Sequence, residues 1–233
     1  MPSARKPKTA QAFTRRVLAR FDRAGRDLPW RRTRDPYRVL VSEFMLQQTQ
    51  VSRVTEYYPR FLARFSSLEQ LARAKPKAVR EAWDGLGYYA RAANLHALAR
   101  VVRRDLGGTL PSHPDELIRL PGVGRYTAGA VASFAFERAV PAVDTNVGRV
   151  LRRVFVAEHG ARSTEQRALW ALAQLLVPKS GKRAWRFNQA VMELGATICV
   201  ARKPKCGVCP VRAVCKTGSR EQLLRAPCSV LPI

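Results

Sequence analysis

Apolar residues recur at helical spacing along most of this chain. Near the N-terminus Phe13, Val17 and Phe21 form one such row, and Gly25 follows it as a stop signal. Pro, Gly or Ser separates most of the later rows, and runs that alternate in the manner of β-strands are missing. The sequence therefore predicts an all-α fold. Further helices are expected at about 37–50, 51–64, 67–74, 76–83, 90–106, 114–119, 126–136, 145–155, 163–176 and 185–199.

An excess of positive charge limits the partners of the chain. Its 233 residues include 42 Lys and Arg against 17 Asp and Glu, a net charge of +25, and 46% are hydrophobic, enough for a core. Such a field favours nucleic acid over an acidic membrane surface. Residues 1–10 are basic, lack the apolar stretch of a secretory signal and are expected to form a flexible arm. No apolar run is long enough to span a bilayer, so we expect a cytoplasmic protein of bacterial or archaeal type without a membrane partner.

A glycine-rich turn precedes the helix predicted at 126–136. Two glycines around one apolar residue make a tight hairpin and direct backbone N–H groups outward at a helix start, which is an anion site. An ordinary tight turn is the alternative, but the charge of the chain favours phosphate binding. The predicted DNA contacts of this hairpin are Leu120, Gly122, Val123, Gly124, Arg125 and Thr127.

Five cysteines crowd the C-terminal end, at positions 199, 206, 209, 215 and 228. The first four fall within 17 residues and can close around one metal centre, whereas Cys228 lies outside the pattern. Zinc is the alternative, although four-cysteine zinc sites more often show two Cys-x2-Cys pairs and only one is present. Lys203 and Lys205 between the cysteines are either solvated charges or phosphate contacts, and we favour the contacts.

Two carboxylates lie in unusually apolar segments. Glu43 is within 39–46 and Asp144 within 140–147. Apolar surroundings should raise the pKa of a carboxyl group, and two carboxyls in different environments can divide acid and electrostatic roles at a glycosidic bond. The structural alternatives are an arginine partner for Glu43 and a helix N-cap for Asp144. A third acid in an apolar stretch, Glu193, is interpreted as structural.

These motifs, with the segments 28–31, 42–51 and 85–92, resemble the helix-hairpin-helix DNA glycosylases related to endonuclease III. They are most similar to the MutY adenine DNA glycosylases, from about Phe13 to Lys216. The cysteine spacing matches the iron–sulfur loop of that family gap for gap. The resemblance implies one [4Fe-4S] cluster held by Cys199, Cys206, Cys209 and Cys215.

The resemblance also implies an architecture and a partner. A six-helix barrel domain with the hairpin would span 28–138. An iron–sulfur domain would combine 11–27 with 139–225, leaving 226–233 as a tail. Double-stranded DNA with a mismatched or damaged pair would bind a monomer in the cleft between the two lobes, with a base flipped out.

Individual roles follow from the matching positions. Glu43 would be the general acid that protonates adenine, Asp144 the anion facing the sugar cation, and Asn146 a supporting polar group. Gln48 and Tyr88 would wedge the base stack, and Gln47 and Arg91 in the same motifs are counted as DNA contacts. Tyr126 stands where the endonuclease III branch has a Schiff-base lysine, so base removal without strand cleavage is expected.

Two departures from the MutY pattern affect the choice of substrate. Thr145 replaces the glycine common between Asp144 and Asn146, and the chain ends about 18 residues after Cys215, where MutY proteins continue into a domain that recognises 8-oxoguanine. The preferred interpretation is a monofunctional glycosylase for adenine opposite 8-oxoguanine or guanine. The alternatives are a thymine or uracil glycosylase at guanine mismatches, which the segment from Leu28 also resembles, and a DNA-binding module without catalysis.

Overall fold

The predicted all-α fold is confirmed. The computed structural model describes residues 7–156 and 162–218, and within these ranges it contains helices and no β-strand. None of the helices described there is long and apolar enough to cross a membrane. The α-helices are α1 Lys8–Ala24, α2 Pro36–Leu46, α3 Val51–Arg64, α4 Leu68–Arg73, α5 Pro76–Ala82, α6 Ala90–Asp105, α7 Pro114–Leu117, α8 Arg125–Phe134, α9 Thr145–Leu151, α10 Arg162–Leu176 and α11 Gly181–Thr197.

Short helical turns complete the description. One 3₁₀ turn lies at Pro29–Arg31 before α2, and two others, Cys206–Val208 and Arg212–Val214, lie between the cysteines. A π-helical turn, Arg152–Val156, follows α9. Three helices are shorter than predicted, because left-handed backbone at Gln48 follows α2, turns follow α7 and a wider π-helical turn follows α9. These are α2, which ends at Leu46, α7, which is a single turn, and α9, which ends at Leu151.

Two compact units make up the fold. The first contains the described residues of Met1–Arg26, Val143–Lys179 and Arg186–Ile233, and the second contains Asp27–Ala142 and Ser180–Trp185. Two unit boundaries, after Arg26 and after Ala142, lie within four residues of the predicted domain bounds at 27/28 and 138/139, and Ser180–Trp185 belongs to the second unit. Within the predicted arm, residues 8–10 already belong to α1. The predicted tail lies outside the described residues.

Each unit has its own aromatic core. In the first unit Phe13 of α1 is fully buried and meets Phe155 and Phe187 edge-on, with ring centroids 5.2 and 6.2 Å apart. In the second unit Phe61 of α3 meets Trp83 at 5.6 Å. Aromatic pairs of this geometry add to the free energy gained by burial alone. These contacts hold α1 in the first unit and α3 in the second.

Helix α2, which carries Glu43, is mostly buried. Pro36 begins it, and the carboxylate of Asp35 caps it by accepting the backbone N–H of Arg38 at 2.8 Å. Eight of its eleven residues are buried. A helix that is apolar on most faces must lie inside a unit, as the sequence predicted.

Candidate active site

Glu43 lies in the buried middle of α2, as its apolar segment predicted. It is only 3% exposed, and its chain neighbours Ser42 and Phe44 are fully buried. Little solvent reaches this carboxyl group, so electrostatic interactions with it are strong. Such a group fits a proton-transfer role on a base that has itself left the solvent.

The glycine hairpin lies between α7 and α8, and Gly124 is the N-cap residue of α8. Gly122 and Gly124 are exposed, and so is Arg125. Their backbone lies at the N-terminus of a ten-residue helix, where the first N–H groups point away from the helix. This geometry can hold a phosphate. Tyr126 follows in the first turn of α8 and is half-buried.

Three side chains of the hairpin are buried, so a DNA contact of these residues would come from the backbone, as the hairpin geometry predicts. Leu120 and Val123 are each 7% exposed and Thr127 is 2% exposed. The first two anchor the turn in the apolar core. The hydroxyl of Thr127 accepts a hydrogen bond from Nε2 of Gln47, 3.5 Å away, and so connects α8 to the end of α2. Only the backbone of these three residues is available to a phosphate.

Glycine is required at position 122 for a reason other than the one predicted. Its φ of +73° is in the left-handed region, and a Cβ there would lie 2.6 Å from Cβ of Asn94 and 3.0 Å from a ring carbon of Phe44. The close approach is to α6 and α2 inside the protein. At Gly124, by contrast, no atom lies within 4 Å of an added Cβ, so this position remains open for a ligand.

Gln48 and Tyr88 are both exposed, as a contact with DNA requires. Tyr88 is 62% exposed, unusually high for a large aromatic residue. Both have left-handed backbones, with φ of 55° and 47° respectively. Non-glycine residues adopt such angles at a cost and concentrate at functional sites. A groove of about 670 Å³ runs beside them, and its lining includes Gln48, Arg53, Tyr57 and Leu86.

Arg91 is not a direct DNA contact, and that prediction is wrong. It is only 7% exposed, and its guanidinium group donates hydrogen bonds to backbone carbonyls and to a hydroxyl of the protein itself. A guanidinium committed to so many internal acceptors cannot reach a phosphate in solvent. Its role is in the arrangement of the loops around it.

Asp144 is the N-cap of α9, which is the structural role that the sequence offered as an alternative. Its Oδ1 accepts the backbone N–H of Val147 at 2.7 Å, and its Oδ2 accepts Nδ2 of Asn146 at 2.8 Å. Burial raises the pKa of this carboxyl group, and the hydrogen bonds from Val147 and Asn146 and the charge of Arg149 act in the opposite direction. The N-cap role leaves the carboxylate fixed in position, which a catalytic anion also needs.

A chain of hydrogen bonds connects Asp144 to the cysteine segment within the first unit. Oδ1 of Asn146 accepts Nη2 of Arg149 at 2.7 Å. Arg149 in turn donates through Nε to the carbonyl of Cys199 and through Nη2 to that of Gly195, each at 2.8 Å. The spacing of the sequence alone did not identify Arg149 or Gly195. A glycine inside an apolar helix was the only signal for this close approach, since a Cβ on Gly195 would lie 2.7 Å from Cβ of Asn146.

The four cysteines of the predicted ligand set are free thiols in one neighbourhood. The pKa of Cys209 is raised to about 11, first by burial and then by the nearby groups of Cys199, Cys215 and Cys206. Among the described residues, no three His, Cys, Asp or Glu side chains are grouped closely enough for a single metal ion. The four thiols stay candidate ligands for the predicted cluster, with zinc as the alternative.

Further contacts surround these thiols. Nη1 of Arg153 donates to Sγ of Cys199, and the backbone N–H of Gly218 donates to Sγ of Cys215, both at 3.4 Å. Hydrogen bonds to sulfur stabilise the negative charge of thiolate ligands. Lys203 and Lys205 are exposed nearby. Cys228 lies outside the described residues.

Comparison with known families agrees with this geometry. The model of the HhH-GPD superfamily of base excision DNA repair proteins matches residues 41–174, more than half of the chain. The chain belongs to this superfamily. The iron-sulfur binding domain of endonuclease III matches residues 199–215, the segment that runs from the first to the last of the four cysteines. The resemblance inferred from the motifs is thereby confirmed.

Curated relatives within the superfamily have a common name. Proteins named adenine DNA glycosylase from Rattus norvegicus and Mycolicibacterium smegmatis are each 46% identical to this chain. The alignments cover 90% of this chain and 42% of the rat protein, and 84% of this chain and 66% of the mycobacterial protein. The chain thus spans less than half of the rat protein and about two thirds of the mycobacterial one.

Solved structures of superfamily members show the same fold. A thermostable thymine-DNA glycosylase is 34% identical, with a TM-score of 0.82 over 91% of this chain and 98% of that one. Endonuclease III in a non-covalent complex with DNA has a TM-score of 0.77 at 23% identity, over 94% of this chain and 100% of that one. The second similarity concerns the fold alone.

Glu193, the rival acid, has a structural role as predicted. It is 6% exposed and forms a bidentate ion pair with Arg26, with Nε 2.7 Å from Oε1 and Nη2 3.1 Å from Oε2. Both oxygens of this carboxyl group are thus committed to Arg26. Glu193 therefore stabilises the first unit and does not compete with Glu43 for the acid role.

Proposed function

We propose that this protein is a DNA glycosylase that hydrolyses the N-glycosidic bond of adenine mispaired with 8-oxoguanine or guanine. The observation that carries the proposal is the set of relatives named adenine DNA glycosylase. Several are 46% identical to this chain, over 84% to 95% of its length. Double-stranded DNA is the partner, bound by a monomer. Because the substrate is genomic DNA, we place the enzyme at the nucleoid in the cytoplasm of a bacterial or archaeal cell.

The two carboxyl groups have different roles in this proposal. Adenine leaves slowly until a ring nitrogen is protonated, and Glu43 supplies that proton from its buried position. Departure of the base leaves positive charge on the sugar, which the fixed carboxylate of Asp144 stabilises. The hydrogen bond from Asn146 to Oδ2 favours the ionised form of Asp144 and so opposes the effect of burial. The base departs with the proton that Glu43 supplied, and water then adds to the sugar cation. The proton that this water loses restores the protonated form of Glu43.

Tyr126 accounts for the expected limit of the reaction. A phenol cannot form a Schiff base with the opened sugar, so no covalent intermediate at this position leads to strand cleavage. The reaction stops at the abasic site. Borohydride should therefore trap no protein–DNA adduct at position 126.

The exposed basic residues support binding to the DNA backbone. Arg125, Lys203 and Lys205 are exposed beside the hairpin and between the cysteines. Each phosphate that they neutralise releases counterions. A plot of the logarithm of the DNA-binding constant against the logarithm of the salt concentration should therefore have a slope of about −0.9 per contact. These residues contribute affinity without sequence readout.

One [4Fe-4S] cluster is the cofactor that the cysteine segment fits. Its ligands would be Cys199, Cys206, Cys209 and Cys215, and the hydrogen bonds of Arg153 and Gly218 to sulfur suit bound thiolates. When bound, the cluster supplies a cross-link between four points of a loop with little regular structure. The chain's own contribution is to hold the basic loop around Lys203 and Lys205 in place.

A thymine glycosylase is the second candidate. The 34% identity to a thymine-DNA glycosylase over nearly all of that protein favours it. Adenine is preferred because the relatives with that name reach 46% identity. A DNA-binding module without catalysis is disfavoured by the buried position of Glu43.

The test is base release from synthetic duplexes. The protein is incubated with duplexes that contain A, T or U opposite G or 8-oxoguanine, and hot alkali then cleaves at abasic sites. Release of adenine is expected, with Glu43→Gln and Asp144→Asn each slower by about 10² in single turnover. Asp115→Asn, which changes an exposed carboxylate, is the control and should match the wild type. Release of thymine alone would establish the second candidate, and no release from any duplex would leave the binding module.

A further inference from the structure

Arg91 occupies an unusual position for a cation. It is the second residue of α6, where the positive end of the helix dipole opposes its charge. It is also buried, and burial lowers the pKa of its guanidinium group. All six of its hydrogen-bond acceptors are neutral oxygens. A buried cation at the start of a helix does not stabilise that helix. The role of Arg91 therefore lies in the segments that its hydrogen bonds connect.

The acceptors belong to two separate segments. Nη1 donates to the carbonyls of Phe44 at 3.0 Å, Met45 at 2.8 Å and Gln47. Nη2 donates to the carbonyls of Leu86 and Gly87, at 3.2 and 3.1 Å. It also donates to the hydroxyl of Thr49 at 3.0 Å. One planar group therefore joins the turn that ends α2 to the loop before α6.

Each of these segments presents one exposed residue on left-handed backbone. Gln48 lies between the acceptors at 47 and 49, and Tyr88 follows the acceptor at 87. The Tyr88 ring also lies 5.5 Å from the guanidinium carbon. Strained backbone of this kind persists only where its surroundings determine it strongly. Arg91 is the shared determinant of both segments.

We propose that Arg91 is a positioning residue that locks Gln48 and Tyr88 at a fixed separation for insertion beside a mispair. The inference rests on the proposed function, because it assigns the two side chains a task in opening the duplex. An exposed aromatic ring and an amide on rigid backbone can replace the stacking and pairing that a displaced base loses. Holding them in place before DNA binds removes the cost of ordering two loops during binding.

Hydrogen exchange of the free protein tests the locking without any DNA chemistry. The amide of Thr49 donates to Leu46 and that of Leu86 to Trp83 within the two turns. In Arg91→Met both amides should exchange at least about tenfold faster, while helices such as α8 keep their protection. The matched control is Arg100→Met, an exposed arginine of the same helix, which should leave both turns unchanged. Uniform loss of protection throughout the second unit would make Arg91 a general stability residue and overturn the proposal.

Arg91→Lys separates geometry from charge. Lysine keeps the charge but lacks the planar fork that reaches both segments. It should expose the turns to exchange much as Arg91→Met does. Full protection of both turns in Arg91→Lys would show that a point charge is enough to hold them. The hypothesis that the planar guanidinium group locks the two segments would then be wrong.

Base release from two substrates tests whether Gln48 and Tyr88, held by Arg91, act in opening the mispair. On adenine opposite 8-oxoguanine, Arg91→Met should be slower by about 10² in single turnover, because small displacements of positioning groups have effects of this size. On adenine opposite an abasic-site analogue no pair must be opened, and the deficit should shrink to within about threefold. An equal deficit on both substrates would refute the positioning role. If the wild type releases adenine from neither duplex, the proposed function fails, and the exchange experiment still decides whether Arg91 locks the turns.

Discussion

The hydrogen bond from Asn146 to Asp144 leads to a prediction about pH. In Asn146→Ala the carboxylate loses the donor 2.8 Å from Oδ2, and Arg149 loses its acceptor on Asn146. Hydrogen bonds to charged groups contribute about 1.5–3 kcal/mol, and one pKa unit corresponds to about 1.4 kcal/mol. The pKa of Asp144, already raised by burial, should therefore rise further, because one of the hydrogen bonds that lower it is lost.

The sign of the effect on activity follows from the role of Asp144. Catalysis needs the ionised form, so activity is lost as pH falls through the pKa of Asp144. A higher pKa moves that loss to higher pH. At the pH where wild-type Asp144 is half ionised, the variant should release adenine roughly tenfold more slowly, the size expected for losing one hydrogen bond to a charged group. The difference should become small at a pH well above both pKa values.

The assay is single-turnover base release across a pH series. Asp115→Asn, which changes an exposed carboxylate outside this network, is the control and should keep the wild-type profile within about twofold. Parallel profiles for Asn146→Ala and the wild type would show that Asn146 does not set the ionisation of Asp144. A shift of the acidic limb to lower pH would refute the reasoning about its sign.

Two further predictions concern the hairpin and the cysteines. Gly122→Ala should lower the free energy of unfolding by about 1–3 kcal/mol in thermal or urea melts, because its Cβ meets Asn94. Gly124→Ala should melt as the wild type does, but it should weaken binding to matched and mismatched duplexes alike. A stable Gly122→Ala would show that the close approach to α6 is not limiting. Anaerobically purified protein should contain about four iron and four sulfide per chain, with Cys206→Ser losing most of both and Cys228→Ser neither. Stoichiometric zinc without iron would contradict the cluster.

Local features of the site were predictable from the sequence. The cysteine spacing is a short-range pattern set by coordination chemistry, and the matching iron–sulfur domain covers the same residues. The burial of Glu43 followed from the apolar character of α2 on most of its faces. The sequence left both the N-cap role and the catalytic role of Asp144 open, and the structure shows the N-cap. Each of these depends on neighbours close in sequence.

Features that depend on distant neighbours were missed. The acceptors of Arg91 in α2 lie 44 to 47 residues before it, and no spacing rule distinguishes it from the many arginines that face solvent. The need for glycine at position 122 was correct for the wrong reason, because its neighbour is Asn94 of α6 rather than a phosphate. Periodicity indicates which residues are buried, but not which groups they meet.

The first unit is discontinuous in the chain, and this has a consequence for synthesis on the ribosome. Helix α1 emerges first, yet Phe13 packs on Phe155 and Phe187, and Nη1 of Arg16 donates to the carbonyl of Pro210, 194 residues later. At about 5–20 residues per second, the nascent helix waits roughly 10–40 seconds for that last partner. The second unit, mostly continuous from Asp27 to Ala142, can fold in this interval. The apolar face of α1 meanwhile stays uncovered until Phe155 and Phe187 have left the ribosome and can pack on Phe13.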